Sequence, residues 1–120
     1  MSGARQAHER AGRRAEGLAR LFLALKGYRC LGQRLKTPLG EIDLVVRKGT
    51  TLAIVEVKRR RTLDEAHAAI SARQQARLVN AARHLLSTRP ELCGLTVRFD
   101  AVLLAPGRWP VHILSAFEVP

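Results

Sequence analysis

Cysteine and aromatic residues are scarce in this sequence, with two cysteines, one tryptophan, one tyrosine and three phenylalanines among 120 residues. Cys30 and Cys93 form neither a CxxC pair nor a zinc-binding spacing with a histidine, which excludes a redox motif and a zinc finger. We expect both as buried thiols in a reducing compartment. So few aromatic rings argue against a protein that binds single strands by stacking, and Trp109 and Phe117 are expected to be packing residues.

Long apolar runs are also absent. The first run, Leu18 to Leu25, contains Arg20 and is too short to span a bilayer, so neither a secretory signal nor a membrane span is expected. No repeat, low-complexity tract or internal linker interrupts the chain. We therefore expect one domain over residues 1–120, with the cytoplasm as its compartment.

Acidic side chains are few as well: 10 stand against 21 lysines and arginines, which gives a net charge of +11. Such an excess on a small domain indicates a polyanionic partner. Nucleic acid is the first candidate, because the guanidinium fork of arginine suits phosphate and binds it independently of base sequence. An anionic membrane surface and an acidic protein stay open as alternatives that only the charge supports.

Hydrophobic periodicity predicts an α/β domain. A first helix runs from about His8 to Lys26, with Leu18 and Leu25 among the residues of its apolar stripe. Thr62 opens a short helical turn to about residue 70, and Ser71 caps a longer helix to residue 87. Strands are predicted at 28–36, 41–46, 52–58, 95–104 and 111–114. The result is a mixed central β-sheet flanked by helices, in the order helix, three strands, helix, two strands.

The stretch from Gly40 to Arg61 stands out because acidic side chains lie inside apolar, strand-like sequence. We interpret it as a hairpin with a two-residue loop at Lys48-Gly49. That loop would set Asp43 opposite Ile54 and diagonal to Glu56, so that Asp43, Glu56 and Lys58 share a face. The alternative is an exposed strand pair whose charged side chains are merely solvated.

The chemistry of such a cluster would be metal-dependent. Two carboxylates at one end of a hairpin, Asp43 and Glu56, are hard oxygen ligands suited to Mg²⁺ or Mn²⁺. Lys58, two residues after the second carboxylate, would hold the attacking water or neutralise charge that builds on phosphorus. The arrangement is typical of in-line phosphodiester hydrolysis.

Further candidates lie around the hairpin, each with a structural alternative. Glu16 is either a third carboxylate of the site or a surface residue paired with Arg13 or Arg20. The triple arginine at 59–61 is either solvated or placed where a phosphate backbone passes. On the longer helix Arg73, Gln74 and Arg77 are solvated residues or phosphate contacts. Asp100 is expected to form a structural ion pair with Arg98.

Five segments, taken in order, resemble the YraN family over nearly the full length of the chain. They are GRRAEGLARLFLALKGY (12–28), TPLGEIDLVV (37–46), AIVEVKRRR (53–61), RQQARLVNAARHLL (73–86) and RFDAVLL (98–104). The family is similar to the Holliday junction resolvase branch of the restriction-endonuclease-like fold. The resemblance implies the PD-(D/E)xK signature, with Asp43 and Glu56 as metal ligands, Lys58 as catalytic lysine and Glu16 as the carboxylate on the helix.

Together the residues and the resemblance predict a Mg²⁺-dependent (or Mn²⁺-dependent) endonuclease that acts on DNA, branched or otherwise structured. Junction cleavage needs two symmetric incisions, so a homodimer is expected. The alternative is a nucleic-acid-binding module that keeps the nuclease fold without catalysis. The set Asp43, Glu56 and Lys58 argues against it, because carboxylates repel the phosphate backbone that a pure binder must hold.

Overall fold

The chain folds into a five-stranded sheet with helices on both faces. The structure is a computed structural model that describes residues 2–117, and for residues 2–5 and 7–9 it describes the backbone alone. The helices are α1 (Ser2–Leu25), α2 (Leu63–Ala68) and α3 (Ala72–Thr88), followed by a 3-10 turn at Pro90–Leu92. The strands are β1 (Arg29–Thr37), β2 (Gly40–Lys48), β3 (Thr51–Arg59), β4 (Thr96–Leu104) and β5 (Val111–Ile113).

The strands lie side by side in sequence order, with every neighbouring pair antiparallel except β3 and β4, which are parallel. Parallel neighbours need a long crossover, and α2 with α3 supplies it. Both helices begin at the predicted caps: Thr62 Oγ1 accepts from the Glu65 N–H at 3.1 Å, and Ser71 Oγ from the Gln74 N–H at 3.2 Å. The predicted α/β class and element order are confirmed, and the arrangement is consistent with a restriction-endonuclease-like fold.

Each face of the sheet carries its own hydrophobic core. One core packs buried residues of α1 against β2, β3 and β4, and the other packs α3 against the opposite face. Ala19 and Leu23 anchor α1 with no exposed surface, whereas Leu18 and Leu25 are 51% and 81% exposed. The predicted burial of Leu18 and Leu25 is therefore wrong, because α1 turns its alanines rather than these two leucines toward the sheet. Within residues 2–117, no helix combines the length and apolar character needed to cross a membrane.

The register of the β2–β3 hairpin differs from the prediction by two residues. Gly49, with φ of 59°, takes the first position of the loop, so the loop is Gly49-Thr50 and Lys48 pairs with Thr51. Val45 therefore lies opposite Ile54, and the predicted pairing of Asp43 with Ile54 is wrong. A shift of two residues keeps every side chain on its predicted face. Leu44 lies opposite Val55, which brings the preceding Asp43 level with Glu56.

Three predictions about single side chains can be compared with the structure. Phe117 is buried and its ring lies 5.4 Å from that of Phe99, so its packing role is confirmed. Trp109 is 86% exposed in the loop between β4 and β5, so its predicted packing role is wrong. Cys93 is exposed and Cys30 half-buried, so burial of both thiols is wrong too.

Asp100 has no exposed surface and lies at the centre of a polar network between β4 and β5. Arg98 donates to both of its carboxylate oxygens, at 2.8 and 2.7 Å, which confirms the predicted ion pair. His112 Nε2 lies 2.8 Å from Oδ2, and the Ser115 N–H donates to Oδ1 at 3.0 Å. Burial alone would raise the pKa of Asp100, but these hydrogen bonds lower it to about 2.

Gly40, at the turn from β1 into β2, has a φ of 144°, and a Cβ there would come within 2.9 Å of Arg77 Cγ. We expect Gly40→Ala to lower the free energy of unfolding by about 1–2 kcal/mol, because alanine is strained at this φ and would displace Arg77. Gly17→Ala is the matched control. That glycine lies inside α1 with open space around it, so the change should raise stability by about 0.5–1 kcal/mol. Urea denaturation measures both, and equal effects would contradict the expectation.

Candidate active site

Six of the ten predicted site residues meet in a cleft of about 540 Å³ at one edge of the sheet. This edge holds the start of β2 and the carboxyl end of β3, which lie next to each other because the two strands are antiparallel. Helix α1 forms another wall of the cleft. The charged residues that line it are Glu16, Arg34, Glu41, Asp43, Lys58, Arg59, Arg60 and Arg61.

Three carboxylates converge in this cleft. Glu16 of α1 and Glu41 and Asp43 of β2 each present an oxygen within 4.8 Å of the others. Glu16 reaches the strands because its neighbour Ala15 is buried against the sheet on the same turn of α1. Glu41 is a residue that the sequence analysis missed. The signal was present, since Glu41 precedes Asp43 by two residues and thus alternates to the same side of a strand.

Asp43 occupies the point where β2 and β3 part. Its Oδ2 accepts a hydrogen bond from the Val57 N–H at 2.8 Å, so this side chain takes the place of a backbone acceptor. Burial raises the pKa of Asp43, and the nearby charge of Glu41 raises it further, while the Val57 hydrogen bond and Lys58 oppose the shift. A half-buried carboxyl group that is costly to ionise is a group that a cation would stabilise.

Glu56 and Lys58 of β3 form an ion pair, with Lys58 Nζ 3.3 Å from Glu56 Oε1. Both side chains are largely buried. Burial and the negative charge of Asp43 raise the pKa of Glu56 to about 7, although Lys58 opposes the shift. Lys58 lines the main cleft with Asp43, while Glu56 lines a smaller cavity of about 150 Å³ under α3, and Glu41 lines both spaces.

Glu16 is buried, and its partner comes from β1 rather than from its own helix. Arg34 Nη1 lies 3.1 Å from Glu16 Oε1, and Arg34 Nε lies 3.7 Å from Glu41 Oε1. The first contact has ion-pair distance without hydrogen-bond alignment, so among the described residues Glu16 Oε1 has no hydrogen-bond donor. Burial and the charge of Asp43 raise the pKa of Glu16 to about 7.

Arg34 adopts a φ of 52°, which is uncommon for a residue other than glycine and occurs here inside a strand. Backbone strain of this kind is retained mostly at functional sites. The conformation accompanies a guanidinium that bridges Glu16 on α1 and Glu41 on β2. Sequence analysis missed this residue, because nothing in the pattern of β1 indicates a left-handed position.

The predicted phosphate contacts divide into three groups. Arg59, Arg60 and Arg61 are exposed and line the main cleft beside Lys58. Gln74 and Arg77 line the smaller cavity with Glu56, and the buried Gln74 Oε1 has no hydrogen-bond partner among the described residues. Arg73 is exposed on the first turn of α3 and lines neither space.

The donor set of the cleft suits a hard divalent cation. Carboxylate oxygens are the protein ligands that Mg²⁺ and Mn²⁺ prefer, and these ions keep open positions for water and phosphate oxygen. Among the described residues, no donor makes a hydrogen bond to the buried Glu16 Oε1. This oxygen can therefore coordinate a cation. Glu16, Glu41 and Asp43 therefore fit a metal, with Glu56 beside them across the strand pair.

The raised pKa values of Glu16, Asp43 and Glu56 predict a pH-dependent response to metal. These groups hold protons more tightly in the folded than in the unfolded chain, so the fold loses stability as the pH rises from 4.5 to about 7. Metal competes with those protons. We expect Mg²⁺ or Mn²⁺ at roughly 100 times its Kd to add about 2.7 kcal/mol of stability at mildly alkaline pH, and much less at about pH 5.

Thermal melts with and without metal at the two pH values measure this response. Asp43→Asn should remove it, because it takes away one of the converging ligands. Glu91→Gln is the control, since Glu91 is an exposed carboxylate in the 3-10 turn outside the cleft. A metal response that Asp43→Asn leaves unchanged would place the bound cation elsewhere.

Comparison with known proteins gives a consistent family. The family described as "Uncharacterised protein family UPF0102" matches residues 15–104. A UPF0102 protein of Parvibaculum lavamentivorans is 56% identical over 109 residues, which cover 91% of this chain and 82% of that protein. A UPF0102 protein of Methylorubrum extorquens is 54% identical over 115 residues, covering 96% and 90%. A UPF0102 protein of Caulobacter vibrioides is 50% identical over 111 residues, covering 92% and 89%.

The matched segment contains every carboxylate of the cleft and Lys58, and it runs from the second half of α1 to the end of β4. The matches to the three relatives extend over nine-tenths or more of this chain. The chain therefore belongs to the UPF0102 family, which is the family that its resemblance to YraN proteins indicated.

Proposed function

We propose that this protein is a metal-dependent endonuclease that hydrolyses phosphodiester bonds of DNA, with branched or otherwise structured DNA as substrate. The observation that carries the proposal is one cleft that contains converging carboxylates, an adjacent lysine and a row of exposed arginines. The carboxylates serve a cation, the lysine serves the attacking water, and the arginines serve the phosphates. A site for binding alone needs only the last of these.

Glu16, Glu41, Asp43 and Glu56 would hold Mg²⁺ or Mn²⁺. When bound, such an ion would lower the pKa of a coordinated water and stabilise the charge that develops on the phosphate oxygens. Lys58 Nζ, which already lies against Glu56, orients the attacking water or offsets charge on phosphorus. Arg34 positions Glu16 and Glu41 through its two ion-pair contacts.

The arginines at 59–61 bind the backbone of the substrate. Each of them lines the cleft directly after Lys58, so a phosphate held there lies next to the reacting group. The net charge of +11 attracts a polyanionic substrate to the protein surface as a whole, which supports this role. Four carboxylates in the middle of such a surface repel phosphate unless a cation neutralises them, which is why a binding module alone explains the site poorly.

Cleavage of a four-way junction requires two incisions related by symmetry, so the proposal includes a homodimer. An exposed apolar row on α1 offers a surface for a second copy: Leu18, Leu21 and Leu25 are 51%, 57% and 81% exposed. Sedimentation velocity of the full chain tests this part. A monomer that stays monomeric on junction DNA would remove the resolvase form of the proposal and leave a single-incision nuclease.

A panel of labelled DNA substrates tests the activity itself. A four-way junction, a flap, a single strand and a plain duplex are incubated with Mg²⁺, with Mn²⁺ or with a chelator. We expect metal-dependent incision, fastest on a branched substrate. If the protein binds these DNAs and incises none of them with either metal, the non-catalytic binding module replaces the nuclease.

A further inference from the structure

The loop between β4 and β5 presents a tryptophan to solvent on a stiff support. Pro106 and Gly107 occupy the central positions of a tight turn, in which the Arg108 N–H donates to the Ala105 carbonyl at 3.2 Å. Gly107 has a φ of 71°, as the third residue of a type II turn requires. Trp109 follows this turn and precedes Pro110, so proline restricts the backbone on both sides. The ring therefore stands out from the surface with little conformational freedom in the chain that holds it.

This loop adjoins the nuclease cleft. The parallel pairing of β3 and β4 sets Leu104 level with Arg59, and the Arg60 N–H donates to the Leu104 carbonyl at 3.1 Å. A second cavity of about 410 Å³ continues from the first, and Arg61 and Pro106 line both of them. Arg108, the residue directly before Trp109, lines the second cavity as well. A strand that leaves the main cleft past Arg61 thus reaches Arg108, which directly precedes Trp109.

Among the described residues, no packing contact of the fold explains why Trp109 is exposed. At 86% exposure the ring buries almost none of its apolar surface, whereas tryptophans usually contribute strongly to a core. A flat aromatic surface beside arginines is what an unpaired base stacks on, and such stacking does not depend on base identity. Phosphates of the same nucleotides would meet the guanidinium groups of Arg61 and Arg108.

We propose that Trp109 stacks on an unpaired base of the substrate and so selects DNA that has single-stranded nucleotides next to the cleavage site. This inference rests on the proposed function and narrows its substrate class. It assigns recognition of the unpaired segment to the turn at 105–110, while the arginines at 59–61 hold the strand at the carboxylates. A fully paired blunt duplex offers no base to this ring, because its bases are stacked on one another.

The sequence contains a single tryptophan, so intrinsic tryptophan fluorescence reports on this site alone. The full-length protein is titrated in a chelator, which prevents cleavage, with a duplex that carries a single-stranded tail and with a blunt duplex of equal length. The anisotropy of a label on the DNA reports binding in the same samples. We expect both DNAs to bind, and the tailed DNA alone to quench the tryptophan emission strongly.

Variants separate stacking from general binding. Trp109→Ala should weaken binding of the tailed duplex by about 10-fold or more and leave the affinity for the blunt duplex unchanged. Trp109→Phe should restore part of the loss. Leu114→Ala is the matched control, because it removes a 50% exposed apolar side chain that lines neither cavity and should change neither affinity.

Two results would overturn the inference. One rules out stacking by Trp109 alone, and the other rules out the proposed function as well. If the tailed DNA binds without quenching and Trp109→Ala binds it as tightly as the wild type, stacking is wrong while the nuclease proposal stands. If neither DNA changes the anisotropy at low salt, either in the chelator or with Ca²⁺ in its place, the protein does not bind DNA, and the proposed function fails together with the inference.

Discussion

Asp43→Asn is expected to lower the rate of metal-dependent DNA cleavage by about 1,000-fold while DNA affinity changes little. Asp43 is the residue that the other charged groups of the cleft surround: Glu16 and Glu41 converge on it, and the charge of Lys58 opposes the rise that burial causes in its pKa. Asparagine keeps the size of the side chain, and its carbonyl oxygen still accepts the Val57 N–H. The variant therefore removes the charge that a cation needs and spares the hydrogen bond that holds the strands.

The comparison needs rates measured in a single turnover at saturating enzyme, so that affinity does not enter. Lys58→Met should also lower the cleavage rate strongly, since it removes the amine and keeps the length of the side chain. Glu91→Gln changes an exposed carboxylate outside the cleft and should cleave at the wild-type rate. If Asp43→Asn cleaves as fast as Glu91→Gln, the carboxylates have no part in the reaction.

Asp100→Ala is expected to lower the free energy of unfolding by about 3–5 kcal/mol, because it leaves buried charged and polar partners unpaired. Arg98 loses both of its carboxylate hydrogen bonds, and His112, whose side chain is 2% exposed, loses its partner on Nε2. For a domain of this size the loss corresponds to roughly 10–20 °C in melting temperature. Asp100→Asn, which retains hydrogen-bonding atoms, should cost less than alanine.

The effect of Asp100 should depend on pH in a fixed direction. Its pKa falls from the ordinary 3.8 to about 2 in the folded chain, so its charge stabilises the fold fully above 3.8. As the pH drops toward 2 the unfolded chain takes up the proton first, and the benefit disappears. Urea denaturation of wild type and Asp100→Asn should therefore give a stability difference that shrinks in acid. A difference that stays constant or grows would contradict the network as the source of stability.

Much of the site follows from the alternation of side chains along the two strands of the hairpin. Asp43, Glu56 and Lys58 could be assigned to one region because a strand alternates faces and because Gly49 marks a turn. The register was wrong by two residues, since the sequence does not specify which loop position glycine takes. A shift of two residues leaves each side chain on the same face of its strand, so Asp43, Glu56 and Lys58 still lie close together.

Other parts of the site depend on contacts that local patterns do not contain. Arg34 bridges two carboxylates from a left-handed position inside β1, and no residue preference signals an arginine there. Trp109 was expected to pack, because an isolated aromatic residue usually does, yet the turn after Pro106 directs it outward. Which side of α1 faces the sheet was also misjudged for Leu18 and Leu25, since alanines and leucines alternate around much of the helix.

Metal-dependent hydrolysis in the carboxylate cleft can be tested with two proteins and one substrate. Wild type and Asp43→Asn, purified in parallel, are mixed in excess with a labelled four-way junction, and incision is started by Mn²⁺ and stopped by a chelator. We expect incision by the wild type only, at equal binding of the junction by both proteins. Equal incision by both would mean that the carboxylates have no part in the reaction. Binding without incision by either would leave the protein as a DNA-binding module whose carboxylates serve another purpose.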